Sequence, residues 1–286
     1  MVDHGSPIDD PPPEYVLPPL PARPADAHKG TFGRVGVLGG QSTRGVMMIG
    51  GPAFAALGAL RSGAGLAVLF APESVLAAEL TVAPSATGVA LAQDETGALR
   101  PSAAAAAIQG EAEDLDVLAA GPGLGTGTAS SQVLVSLIAQ SELPLVLDAD
   151  AINGLSALPD VLGDMRAPAI WTPHPGEYRR LAAALRLEEE VRSPAARRQA
   201  AERLAQRLGG VVVLKGAGTV VTDGLRTWVS STRNPALATA GTGDVLTGVI
   251  AGLVAQYFVP DHLARVLPPD RRGWSLLDCA AWGVRL

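Results

Sequence analysis

Cysteine is all but absent from this chain: Cys279 is the only one among 286 residues, so neither an intrachain disulfide nor a multi-cysteine metal site can form. Histidine is almost as scarce. His4, His28, His174 and His262 include no pair at metal-ligand spacing, and no protein-built metal site is expected. No stretch reaches the roughly 18 unbroken apolar residues that a membrane span requires, and no basic region followed by an apolar run opens the chain. The expectation is a cytoplasmic protein with no membrane partner. Positive charge is also in deficit, the net charge being −6, which removes any general attraction to nucleic acid. Charged residues make up only 17%, whereas 48% are hydrophobic and 33 are glycine, a composition suited to helices packed closely on a buried sheet. A chain of this length builds one large α/β domain.

Residues 1–27 carry eight prolines, Pro7, Pro11, Pro12, Pro13, Pro18, Pro19, Pro21 and Pro24, and are expected to form an extended lead-in to a domain spanning 28–286. Within that domain, apolar runs at 35–38, 66–70, 116–120, 144–147, 169–172, 211–214, 220–222 and 225–229 predict strands. Helices are predicted near 51–62, 128–140 and 186–208, and the alanine run Ala103 to Ala107 favours another. Asp223-Gly224 is a hairpin signal. The alternation predicts a doubly wound, mainly parallel sheet with one local antiparallel hairpin, whose ligands sit beyond the C-terminal strand ends.

The stretch around which the rest is arranged runs from Asn234 to Gln256. Val245, Leu246, Val249, Ile250, Leu253 and Val254 fall on one face of a helix, fed by the glycine loop Gly241-Thr242-Gly243. Backbone N–H groups at such a helix start can hold a phosphate. Asp244, next to that anion site, is then a candidate general base, with an ordinary N-cap aspartate as the alternative. Gly121-Pro122-Gly123-Leu124-Gly125 lacks the third glycine of a dinucleotide fingerprint, since Thr126 stands there. It is either a turn that admits a ligand or a strand-to-helix corner. Lys215-Gly216-Ala217-Gly218-Thr219 lacks P-loop spacing, and is either a contact to a nucleotide's phosphates or ribose or a tight turn. His174 between two prolines, with Glu177 following, fits a helix entry. Asp148 and Asp150 can bind a metal or a hydroxyl, with a helix cap the favoured reading. His28-Lys29-Gly30-Thr31-Phe32-Gly33, taken alone, is a loop with solvent-facing charge.

In order, these segments, together with Ala59-Leu60-Arg61-Ser62-Gly63-Ala64-Gly65 and Thr172-Pro173-His174-Pro175-Gly176-Glu177, resemble the ADP- or ATP-dependent NAD(P)H-hydrate dehydratase family, relatives of the ribokinase-like kinases. The resemblance covers residues 28–256. It implies a ribokinase-like three-layer α/β/α fold and a repair reaction, in which the hydrated nicotinamide cofactor is phosphorylated by ADP or ATP and loses phosphate to regenerate NADH or NADPH. With ADP as donor, AMP and phosphate are the products. Carried over motif by motif, Asp244 is the implied base, and Gly241, Thr242 and Gly243 cradle the transferring phosphoryl group. Lys215, Gly216, Ala217, Gly218 and Thr219 hold the adenine nucleotide, while Gly51, Gly123, His174 and Asp244 line the substrate pocket. Magnesium is the implied companion of the nucleotide, and a homo-oligomer the implied assembly. Two departures stand out. Met48-Ile49-Gly50-Gly51-Pro52 replaces a Pro-Gly-Ala turn, and after an insertion over 257–274 the chain closes at 280–286, where the family pattern continues into a final helix. A small-alcohol kinase of the same superfamily and a catalytically inactive nucleotide binder remain as alternatives.

Overall fold

A computed structural model of the chain describes residues 15–43, 45–140, 142–187, 191, 193–260 and 273–286. The first strand, β1 (Arg34–Leu38), is followed by a small hairpin of β2 (Gln41–Thr43) and β3 (Val46–Met48), then α1 (Gly50–Arg61), β4 (Leu66–Pro72), α2 (Glu73–Val82) and β5 (Thr87–Leu91). Next come α3 (Pro101–Ala112), β6 (Val117–Ala120), α4 (Thr128–Ile138), β7 (Leu145–Leu147), α5 (Ala149–Ser156), α6 (Pro159–Leu162) and β8 (Ala169–Trp171). The chain continues through α7 (Pro175–Ala184), α8 (Pro194–Leu208), β9 (Val211–Leu214), β10 (Val220–Thr222), β11 (Thr227–Val229), α9 (Thr242–Tyr257) and α10 (Leu276–Arg285).

The nine-stranded sheet runs β11-β10-β9-β8-β7-β6-β1-β4-β5. From β9 through β5 every pairing is parallel, and β10 and β11 extend the sheet antiparallel beyond β9. The central strands are near-continuous apolar runs such as Val117–Ala120 and Val211–Leu214, buried throughout, as strands covered on both faces must be. Alternate residues feed opposite layers: Val212 and Leu214 join a core with α3, α4, α5, α7 and α8, and Val211 and Val213 one with α1, α9 and α10. The expected three-layer α/β/α architecture is thus present. The antiparallel part is larger than one hairpin, because the 215–219 connection also reverses the chain.

Several stretches, α2 among them, differ from expectation. The β2–β3 hairpin and β5 were not anticipated: β2 and β3 are three residues each, and β5 is a largely exposed edge strand, so their apolar patterns are weak. In α9 the deeply buried residues include Thr247, Gly248, Ala251 and Gly252 as well as Ile250, Leu253 and Val254, while Val245 is exposed. The cause is α1, which packs against α9 so closely that small residues, rather than large ones, occupy the contact. The insertion over 257–274 lies outside the described residues between 261 and 272, but its ends are pinned together, Trp274 N donating to Tyr257 O at 2.7 Å and Val259 N to Trp274 O at 3.1 Å.

Candidate active site

The N-terminus of α9 opens at the C-terminal edge of the sheet. Gly241 is its N-cap at φ 90° and ψ −20°, a left-handed conformation that glycine adopts without strain. Asp244 is the third residue of the helix and makes no cap, so the ordinary N-cap reading does not hold. Its carboxyl is raised to about 6, first by burial and then by the negative charge of Asp148, with Lys215 opposing and Asp150 adding to the rise. A side chain at Gly51 would come within 3.2 Å of Pro122 and 3.4 Å of Asp244 Oδ1, so the start of α1, the 121–125 turn and Asp244 meet in one place. Gly123, at φ 64°, backs onto Met48 of the small hairpin, and Gly40 N donates to Pro122 O at 3.1 Å. Gly125 N donates to Asp150 Oδ2 at 2.9 Å, which fixes the far end of that turn.

Lys215, at the end of β9, places its ammonium 2.6 Å from Asp148 Oδ1 and 3.9 Å from Glu177 Oε2. The same ammonium lies 3.4 Å from where a Cβ on Gly243 would stand, directly against the first turn of α9. Asp148 was favoured as a helix cap. It does precede α5, but its side chain makes no capping bond there. Instead Oδ1 also accepts from Thr172 Oγ1 at 2.8 Å and Oδ2 from Thr247 Oγ1 at 2.8 Å, all three residues being buried. Thr172 and Thr247 lie within stretches that the sequence singles out, but neither was assigned a role, because their common partner Asp148 lies 24 and 99 positions away.

His174 is the N-cap of α7. Its Nδ1 accepts from Gly176 N at 2.9 Å while Glu177 Oε2 accepts from His174 N at 2.8 Å, which realises the helix-entry reading. It also borders the charged cluster: burial and then the charge of Lys215 lower its pKa. Glu177 is raised to about 7 by burial, against the pull of Lys215. Gly216 and Gly218 have φ of 146° and 70°, and Thr219 Oγ1 donates to Gly216 O at 2.9 Å, so Gly216 to Thr219 form a closed turn between β9 and β10. Arg197 clamps this turn from α8, donating to Leu214 O and Lys215 O at 3.1 Å each. Of the eight residues expected at the nucleotide, Gly241, Thr242 and Gly243 form the start of α9, and from the 215–219 turn Lys215 reaches it. The 28–33 and 59–65 motifs lie at the other end of α9: Gly65 N donates to Gly33 O at 3.1 Å, and a side chain on Gly33 would strike Ala255. They are packing motifs.

A parallel sheet covered on both faces, with a glycine-capped helix end and a carboxylate at its C-terminal edge, defines the ribokinase-like class. A ribokinase-like superfamily protein from Enterococcus faecalis V583 matches with a TM-score of 0.67 at 26% identity, over 92% of this chain and 91% of that one. Within that class, the model of the NAD(P)H-hydrate dehydratase family matches residues 35–267, and the chain belongs to this family. It is 36% identical over 251 residues to the ADP-dependent (S)-NAD(P)H-hydrate dehydratase of Bacillus subtilis, covering 87% of this chain and 82% of that protein. An ADP/ATP-dependent NAD(P)H-hydrate dehydratase structure from B. subtilis, co-crystallised with ATP and magnesium, aligns with a TM-score of 0.63 and 28% identity over 93% of this chain and 94% of that one. The chain is also 38% identical over 245 residues to the bifunctional NAD(P)H-hydrate repair enzyme of Moorella thermoacetica, covering 84% of this chain but 44% of that protein. It thus spans less than half the length of the bifunctional relatives it matches. No helix among the described residues is long and apolar enough to cross a membrane.

Proposed function

We propose that the chain dehydrates the S form of hydrated NADH or NADPH at the expense of ADP, with ATP as the alternative donor, giving the reduced cofactor, AMP and phosphate. The observation that carries this reading is Asp244, a carboxyl raised to about 6 at the glycine-capped start of α9, between Gly51 on one side and the Lys215 ammonium beyond Gly243 on the other. Asp244 takes the proton of the substrate hydroxyl as its oxygen attacks the terminal phosphoryl group of ADP. The bond from phosphorus to the AMP oxygen breaks, and AMP leaves. Backbone N–H groups of the 241–243 turn and the positive end of α9 stabilise charge on the transferring group. The carbon–oxygen bond that now carries the phosphoryl group then breaks, phosphate departs with its electrons, and loss of a proton from the neighbouring carbon forms the double bond of the dihydronicotinamide. Gly51, Gly123 and His174 line the substrate's side of the cleft, and Lys215 to Thr219 the nucleotide's.

Magnesium fits this site only as a companion of the nucleotide. Among the described residues no group of three His, Cys, Asp or Glu side chains can hold a metal, and both oxygens of Asp148 are engaged by protein donors. An ion that keeps its waters and binds mainly to phosphate oxygens needs no such group, and when bound it neutralises phosphate charge. We further read residues 28–286 as the catalytic domain and the protein as a cytoplasmic homo-oligomer, the oligomer being testable by light scattering.

The test is recovery of near-ultraviolet absorbance when purified protein meets hydrated NADH or NADPH with magnesium and either ADP or ATP. Recovery with release of phosphate supports the reading and identifies the donor. A stable phosphorylated alcohol with no recovery would instead mark a small-alcohol kinase.

A further inference from the structure

A lysine at the start of a helix is in the wrong field. The N-terminus of α9 carries partial positive charge, which disfavours a cation and favours an anion. Yet the Lys215 ammonium stands 3.4 Å from the Cβ position of Gly243 in the first turn of α9, although its side chain is flexible and still 18% exposed. What keeps it there is Asp148. This carboxylate is 1% exposed, and its 2.6 Å contact to Lys215 crosses 67 positions of sequence. It is itself held by Thr172 from the end of β8 and by Thr247 from α9, two hydroxyls that are fully buried. Resting on the proposed nucleotide-dependent reaction, we infer that Asp148 is a positioning residue that seats Lys215 at the phosphoryl-transfer position rather than at the adenine.

Three features of the geometry fit that role. Thr172 and Thr247 occupy oxygens of Asp148 so that the lysine's approach is confined to one direction. Asp148 does no capping, although it precedes a helix. The helix end and Lys215 both offer positive charge at this point, the lysine held there by Asp148, so the arrangement is prepared for the charge that grows on the transferring phosphoryl group. Lys215 touches that group, and Asp148 acts on it through Lys215, while its charge also reaches Asp244.

A double-mutant cycle of Asp148→Asn and Lys215→Met in the full chain tests this, read by kcat and KM for hydrate turnover, by ADP affinity in calorimetry, and by Tm. Each single variant lowers kcat about 10²-fold, as loss of one preorganised charge contact does. In Asp148→Asn the KM for ADP stays near the parent value, because an interaction specific to the transition state has been lost. The double variant is no slower than the slower single one. Losses that multiply, or an Asp148→Asn variant whose kcat falls only in step with its Tm, overturn the inference in favour of a purely structural tie. If the parent binds ADP but turns over no hydrate, the dehydratase reading has failed and ADP affinity alone decides. Lys215→Met then weakens ADP binding about tenfold or more, and adding Asp148→Asn recovers part of it by removing the carboxylate left facing the phosphates. An ADP affinity indifferent to Lys215→Met overturns the placement of Lys215. A folded parent that binds no ADP ends both readings.

Discussion

Asp244 sits where two fields oppose each other: burial and the Asp148 charge raise its pKa, while Lys215 lowers it and the positive end of α9 also favours the ionised form. As a general base it works only when ionised, so kcat/KM must fall as pH drops through about 6 rather than near the ordinary aspartate value of 3.8. Asp244→Asn removes the base, lowers kcat by about 10²–10⁴-fold and abolishes that acid limb, with ADP binding retained. An acid limb that survives in Asp244→Asn would assign it to another group. A second residue titrates without chemistry. Glu79 is fully buried on α2 beneath Gly40, has no hydrogen-bond partner for either carboxyl oxygen among the described residues, and is pushed up to about 8 by burial. With the folded-state pKa raised, the neutral form is the one the fold favours. The associated stability is complete below 4.5 and is lost as pH rises through about 8. Glu79→Gln therefore matches the parent's Tm near pH 4.5 and exceeds it at pH 8, by a gain of a few kcal/mol at about 1.4 kcal/mol per pK unit. Thermal unfolding at both pH values reads the difference. These residues mark how far the sequence can be read. Asp244 was legible because the glycine loop and helix pattern adjoin it. The tie of Asp148 to Lys215 and Thr247 was not, because those partners lie 67 and 99 positions away and an aspartate before a helix has an ordinary local use.

At the scale of elements, the site depends on where α1 places the start of α9. A Cβ on Gly248 would strike the carbonyl of Ala55, one on Gly58 would lie 2.5 Å from Val245 O, and one on Gly252 would meet Ala59. The two helices thus cross with backbone almost on backbone. The apolar periodicity from Val245 to Val254 made α9 legible as a helix, but it pointed to the large residues as the packed face. Glycines leave no hydrophobic signal, so the closest contact was invisible to periodicity. Gly248→Ala has backbone rather than a side chain to displace, and should destabilise by about 1–3 kcal/mol while lowering kcat, because α9 is pushed off its seat with Asp244 on its first turn. Gly110→Ala is the control. On α3 it meets nothing within 4 Å, and in a helix interior the exchange stabilises by up to about 1 kcal/mol. Denaturant unfolding and steady-state rates on both variants separate a packing effect from ordinary helix propensity.

Over the whole molecule, the segment from residue 15 to 27 is more than the extended lead-in that its prolines imply. It has no regular secondary structure, as expected, yet it is docked. Tyr15 Oη donates to Asp278 Oδ1 at 2.6 Å and Trp282 Nε1 donates to Pro18 O at 2.9 Å. The Arg23 guanidinium stacks 3.3 Å over Phe32 and reaches Gln256 Oε1 at 2.7 Å. Prolines exclude helix and sheet but not a seat on another element, and nothing local announces such a seat. The segment joins α10 to the C-terminal end of α9, whose other end holds the site, and α10 in turn covers β8, β9 and β10 on that face. Leu276–Arg285 is thus itself the helix that covers those strands. Tyr15 anchors the start of the segment. Its phenol is raised to about 12, first by burial and then by its hydrogen bond to Asp278, and Arg226 lies 5.2 Å from its ring. Tyr15→Phe keeps the ring and removes the bond, leaving Asp278 with its Ser275 contacts at the start of α10. A hydrogen bond to a charged group is worth about 1.5–3 kcal/mol, and partial exposure here favours the lower figure. In a chain of this size about 1 kcal/mol shifts Tm by roughly 2–4 °C, so Tyr15→Phe should melt a few degrees below the parent. Because the contact is at the opposite end of α9 from Asp244, kcat at 25 °C should not change. A parallel fall in kcat would mean that displacement of α10 travels along α9 to its first turn, and that the strap belongs to the catalytic unit.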